Sequence, residues 1–219
     1  MNLVILVLFL LISIIHLYQS FHDLRKERAK TKPFLLITLL LFYLLSSKVK
    51  DIYLILALAF SWLGDVLLIF PGNRMFLAGG VLFLVAHFCF IIHFTEQILL
   101  SHFSLLLPLI GILYLLISVK VMQMIRNNTP GSMVVPMRLY LIANSFMNLF
   151  ALWVFLQHPH ISTFISYLGA LLFFVSDCVL FLVRYYPDKD LIYHRHFSVM
   201  LAYLAGELLL TLGSLLYQG

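Results

Sequence analysis

The 219-residue sequence is 63% hydrophobic and only 11% charged, with a mean hydropathy of +1.06. Soluble domains carry about 25% charged residues, and no globular interior of this size hides so much apolar surface, so the natural solvent is a bilayer. The formal net charge of +5 is not a nucleic-acid signature, because nearly all the basic residues fall in loops between apolar runs.

Apolar runs cover residues 3–18, 33–47, 52–70, 76–94, 103–122, 134–156, 161–183 and 197–217. Each is long and continuous, which excludes the short alternating strands of a membrane barrel. Eight spanning helices use about 160 residues at roughly 20 each, which leaves short loops and no room for a soluble domain. The expectation is an all-α, polytopic membrane helix bundle of about eight transmembrane helices, forming a single membrane domain over residues 1–219. The chain begins Met-Asn-Leu-Val, without a basic segment or a small-residue cleavage site, so the first run reads as a retained helix. The second run is the shortest, and Pro33 suits its first helical position, where a missing N–H costs nothing. Lys32 and Lys48 flank it and can snorkel to the two interfaces. Cys89 and Cys178 both fall inside apolar runs, with neither disulfide context nor metal-ligand spacing.

The loops after the odd-numbered spans hold Arg25, Lys26, Arg28, Lys30, Lys32, Arg74, Lys120, Arg126, Arg138, Arg184, Lys189 and Arg195, twelve of the fourteen Lys and Arg residues. Lys48 and Lys50 are the only two on the other side. The positive-inside rule then places the twelve in the cytoplasm and both termini away from it. Short tails and tight loops point to a bacterial inner membrane. A faint repeat relates Leu63-Gly64-Asp65-Val66-Leu67-Leu68 to Val175-Ser176-Asp177-Cys178-Val179-Leu180. Four helices separate the two stretches, which fits two parallel four-helix halves.

Carboxylates inside a membrane cost roughly 2.5–3.5 kcal/mol each even on the lenient insertion scale and mark functional sites. Asp65 and Asp177 accept that cost. Both lie on spans heading for the basic side, at similar distances from the helix end, Asp65 about 7.5 Å below it at 1.5 Å per residue. If they face each other they cannot both ionise, and such a pair supplies an acid and a base together. The bland alternative gives each aspartate a private arginine; Arg184, seven residues beyond Asp177, is the obvious partner for it. Deeper in the spans lie His87, Glu207, Asn144, Asn148 and Tyr140, which line one cavity if their helices turn inward and otherwise serve as interhelical glue. Lys32, Arg74, Arg184 and Arg195 sit at the rim, where they hold a phosphate head group or act as ordinary topology charges. His158, His160, His194 and His196 form no convincing metal pattern.

Taken together, Lys32-Pro33, Gly64-Asp65, the run Phe76, Gly79, Phe83, Ala86 and His87, the trio Pro136, Tyr140 and Met147, the stretch from Gly169 to Asp177, and Tyr203-Leu204-Ala205-Gly206-Glu207 resemble the YhhN-type membrane family, which contains the lysoplasmalogenases. The resemblance runs from about Lys32 to Glu207, and its most specific part is Gly-Ala-x-x-Phe-x-x-Ser-Asp. Two positions depart from the family pattern. The last motif usually ends Ala-Gln, and Gly206-Glu207 adds a third acid; a tyrosine usually follows the fourth-span histidine by three residues, where this chain has Phe90.

The resemblance implies hydrolysis of the vinyl ether bond of a lysoplasmalogen, to a fatty aldehyde and glycerophosphoethanolamine or glycerophosphocholine. Protonation of the outer alkene carbon gives an oxocarbenium ion, water adds, and the hemiacetal collapses. The reaction needs no redox cofactor or metal, only an acid, a stabilising carboxylate and a base for the water. Asp65 and Asp177 fill the catalytic roles in this reading. His87, Tyr140 and Asn144 position water or the glycerol hydroxyl, while Tyr203, Glu207, Lys32 and Arg184 complete the contacts to a lysophospholipid drawn from the surrounding membrane lipid. Three other classes stay open. A transporter or carrier also uses midplane acids and parallel repeats. An intramembrane aspartyl protease requires glycine where this chain has Trp62. A lipid-binding protein leaves both aspartates structural.

Overall fold

A computed structural model describes residues 2–99, 104–188 and 190–217. Phe103, placed at the start of the fifth span, and Lys189, counted among the basic loop residues, lie outside the described residues. The described residues form eight α-helices: α1 (Leu3–Phe21), α2 (Arg25–Ser46), α3 (Ile52–Leu67), α4 (Asn73–Thr95), α5 (Leu106–Ile125), α6 (Gly131–Gln157), α7 (Ile161–Tyr185) and α8 (Arg195–Tyr217). A 3₁₀ turn, Arg126–Asn128, separates α5 from α6. Seven of the helices are long and apolar enough to cross a membrane, and the chain is an integral, multi-pass membrane protein.

Two differences from the expected runs bear on the site. Helix α2 begins at Arg25, about two turns before Pro33, because Arg-Lys-Glu-Arg-Ala-Lys is a strong helix-forming sequence that a hydropathy reading overlooks. Pro33 is therefore inside the helix and not at its first position. Its ring removes one backbone donor, and its own carbonyl is used by the Trp62 indole N–H of α3 at 2.8 Å. Helix α3 stops after 16 residues, short of the expected run to Phe70. Pro71 disfavours helix at Phe70, and Gly72 takes φ +106°, which a side chain would resist, before α4 begins.

The main helix neighbours define a ring in the order α2, α3, α4, α6, α7, α8, closed by α8 against α2. Helix α1 covers the seam between α2 and α8, and α5 lies outside against α6 and α7. The neighbour pattern repeats with an offset of four: α1–α2, α2–α3, α3–α4 and α4–α6 correspond to α5–α6, α6–α7, α7–α8 and α8–α2. Small residues hold the two inner pairs close. A Cβ on Gly64 of α3 would fall 2.7 Å from the Phe83 ring of α4, and one on Gly169 of α7 would fall 2.8 Å from the Gly206 carbonyl oxygen of α8. In lipid, where no hydrophobic force drives helices together, such backbone approach is a principal source of packing energy.

Candidate functional site

The early end of α3 and its turn, Leu68 to Pro71, leave space above Asp65. A cavity of about 490 Å³ fills it and reaches the basic end of the bundle. Asp65 and Asp177 both line this cavity, and both are buried, at 2% and 5% exposure.

Each aspartate is served by the helix before its own and by the helix beyond that in the ring. For Asp65 on α3 these are α2 and α8. The Lys32 ammonium lies 3.0 Å from Oδ1, and the Tyr203 hydroxyl donates to Oδ2 at 2.8 Å. Asp65 sits in the last turn of α3, where the helix dipole opposes a negative charge, so the ammonium offsets both burial and dipole. For Asp177 on α7 the serving helices are α6 and α4. Tyr140 and Asn144 donate to Oδ2 at 2.8 and 2.7 Å. From α4, His87 places Nε2 3.7 Å from the same oxygen. Nδ1 of His87 donates to the Phe83 carbonyl at 2.7 Å, so in the neutral ring Nε2 carries the lone pair. Oδ1 of Asp177 accepts no hydrogen bond from the described residues and is open to the cavity.

Below the cavity floor the polar layer continues. Asn148 donates to the Asn144 carbonyl and side-chain oxygens at 3.0 and 3.1 Å and so props Asn144 against Asp177, the glue role at one remove. Glu207 is fully buried, and neither carboxyl oxygen has a hydrogen-bond partner among the described residues; the Ser61 hydroxyl lies near without completing a bond. His87 Nε2 is likewise buried and without a hydrogen bond.

The rim departs from the expected pairing. Arg184 does not reach Asp177. It bonds Asn73 Oδ1 at 3.0 Å, approaches the Gly72 carbonyl at 3.5 Å and stacks 3.9 Å over the Phe76 ring, which ties α7 to the start of α4. The private pair that does form is Lys32 with Asp65. Arg184, Arg195 and Lys32 line the cavity, and Arg74 is not among its lining residues. Arg25, Arg28, His16 and His196 also line it, although the sequence placed none of them in the site. His16 Nδ1 meets the Thr31 hydroxyl at 2.7 Å, and Arg28 pairs with Asp23 at 2.9 Å. A basic helical extension beside the cavity was the one signal that could have found Arg25 and Arg28. His16, alone in an apolar helix, gave the same kind of cost signal as the aspartates.

Fold and site together define a polytopic membrane protein with two buried aspartates lining a basic-rimmed cavity. The chain belongs to the YhhN family, whose sequence profile matches residues 27–214. None of the curated proteins and none of the solved structures compared with the chain matches it.

Proposed function

We propose that this protein is a lysoplasmalogenase-type hydrolase that cleaves the vinyl ether bond of a single-chain ether lipid by acid–base catalysis at Asp65 and Asp177. The observation that carries the reading is the unequal dress of two carboxyls at one cavity. Asp65 has a cation and a hydroxyl donor, which suit a permanent carboxylate. Asp177 has only neutral donors, both on Oδ2, and its free Oδ1 faces the cavity, as suits a carboxylic acid that delivers a proton.

In this mechanism Oδ1 of Asp177 protonates the outer alkene carbon, and the electron pair of the double bond forms the new C–H bond. Positive charge then develops on the inner carbon and the ether oxygen, and the Asp65 carboxylate stabilises it. Water adds to the inner carbon and gives its proton to the Asp177 carboxylate, with the lone pair of His87 Nε2 as an adjoining acceptor. The hemiacetal hydroxyl loses its proton as the glycerol oxygen gains one. A fatty aldehyde and a glycerophosphodiester leave, and one water is consumed. Arg25, Arg184 and Arg195 at the basic end suit the phosphate. With that end in the cytoplasm, of a bacterial inner membrane in this reading, substrate is drawn from the inner leaflet.

The test is aldehyde release from lysoplasmenylethanolamine by the purified protein in detergent, beside Asp65→Asn and Asp177→Asn. The expected result is aldehyde from the wild type and a loss of about a hundredfold or more in either folded variant. A folded wild type that releases no aldehyde from lysoplasmenylethanolamine or lysoplasmenylcholine would overturn the reaction. Flux of such a lipid across proteoliposomes without conversion would point to a carrier instead.

A further inference from the structure

On the flank of the bundle, between α4 and α6, lies a second space of about 280 Å³. Its walls are Leu77, Gly80, Val81 and Leu84 of α4 and Met133, Pro136, Met137 and Leu139 of α6, with Leu180 and Phe181 of α7 as its floor. No charged side chain lines it. Its outer lip faces away from the protein: Val81, Val135 and Leu139 are 50%, 60% and 54% exposed on a surface that lies in the bilayer. At Gly80 the space is empty, since a Cβ there would meet nothing within 4 Å.

This groove adjoins the acid cavity across a shared wall. Leu68, Phe76, Phe83 and Leu180 line both. Tyr140 forms part of the groove wall, and its hydroxyl is the one that donates to Asp177. An apolar slot thus stands between the bilayer and the wall behind which the two aspartates lie, while the basic rim belongs to the acid cavity on the far side of that wall.

We infer that the groove between α4 and α6 holds the hydrocarbon chain of the substrate, a single-chain amphiphile, and passes it sideways between the bilayer and the acid pair. The inference rests on the enzymatic reading for the identity of the amphiphile. The placement rests on the shared wall of the two spaces, on Tyr140, which lines the groove and donates to Asp177, and on the opposite polarity of the two spaces. For a lipid with its phosphate at the arginines and its linkage at the aspartates, the adjoining groove is an apolar place for the chain that keeps it out of water. Met133 and Met137, unbranched and adaptable, suit a wall that meets chains of different length.

The test uses an alkyl-ether lysophosphoethanolamine, in which the cleavable double bond is absent, with a photoactivatable diazirine on the chain. The expected label falls on peptides covering 77–84 and 133–140 of the wild type. Gly80→Phe should fill the groove and remove that label. Gly80→Ala, too small to fill it, should keep it and controls for folding. In turnover with long-chain lysoplasmenylethanolamine, Gly80→Phe should raise KM about tenfold, the worth of two buried methylenes, and leave a short-chain vinyl ether lipid unaffected. Label on α1 or α5, or label unchanged in Gly80→Phe, would overturn the groove. Turnover by the wild type is scored separately, so a groove that labels in an inactive protein removes the reaction and keeps the chain site.

Discussion

The half of the bundle centred on α3 and the half centred on α7 bury the same group at equivalent places in the ring. They satisfy it with different chemistry. On α2 the residue facing the acid is Lys32; in the corresponding role on α6 stand Tyr140 and Asn144. On α8 it is Tyr203, and in the corresponding role on α4 it is His87. The order of helices around each aspartate therefore repeats, while the charge does not. A symmetric pair of carboxylates would give two equal groups; one ammonium placed on one side makes them unequal, and unequal acids are what acid–base chemistry requires.

The comparison breaks most sharply at Asp177. Asp177→Asn keeps an oxygen for Tyr140 and Asn144 but has no proton to give, so aldehyde release should fall by roughly a hundred- to ten-thousand-fold with thermal stability in detergent near wild type. If Asp65→Asn alone abolishes turnover and Asp177→Asn leaves it intact, the assigned roles are wrong. Lys32→Met tests the other half. It strands a buried carboxylate, and the variant should lose about 3–5 kcal/mol in a denaturation titration. Lys32→Met combined with Asp65→Asn should regain most of that stability and none of the activity; equal stability of single and double variants would mean that the ion pair contributes nothing.

Two tyrosines sharpen the comparison further. Tyr140→Phe and Tyr203→Phe each remove one hydroxyl donor to an aspartate, worth about 1.5–3 kcal/mol for a charged acceptor and about half that for a neutral one. Tyr203→Phe, beside the ion-paired Asp65, should therefore cost more stability than Tyr140→Phe, as read by the same titration. The smallest effect is expected far from the cavity. Asp51 caps the start of α3 and pairs with His93 of α4. Partial burial alone would raise its carboxyl, but the His93 contact and the Leu54 and Tyr53 backbone N–H groups hold it below the usual carboxylate range. A lowered folded value means that this contribution is full above the ordinary carboxyl range and fades as pH falls below it. Asp51→Ala should cost about 1 kcal/mol at neutral pH, and its gap from wild type should close in acid.

Sequence reasoning found the helices and the two aspartates for one reason: apolar runs and a carboxylate within them are both local departures whose cost is read without knowing the neighbours. Pairing is a different matter. Arg184 stands two turns from Asp177 on one helix, which made it the nearest cation by sequence, yet its side chain reaches across to Asn73 and the Phe76 ring. Lys32 is 33 positions from Asp65 and meets it only because α2 and α3 are packed side by side. The helical stretch before Pro33 was hidden because a charged helix carries no hydropathy signal. Likewise the α4–α6 groove depends on Gly80 having no neighbour, a property of the space around a residue and not of the residue.

The short reach of α3 bears on the host membrane. Sixteen residues rise about 24 Å, against roughly 30 Å of hydrocarbon, and α3 presents Leu63 on its outer flank. Local thinning of the leaflet beside α3 is the accommodation expected of such a mismatch, with Leu68 to Pro71 kept near the interface. Mismatch of this kind costs fractions of a kcal/mol per ångström, and the cost grows with the acyl length of the bulk lipid. Thin bilayers thus receive the protein with less elastic strain than thick ones, and the head groups nearest the mouth sit lower than those elsewhere in the leaflet.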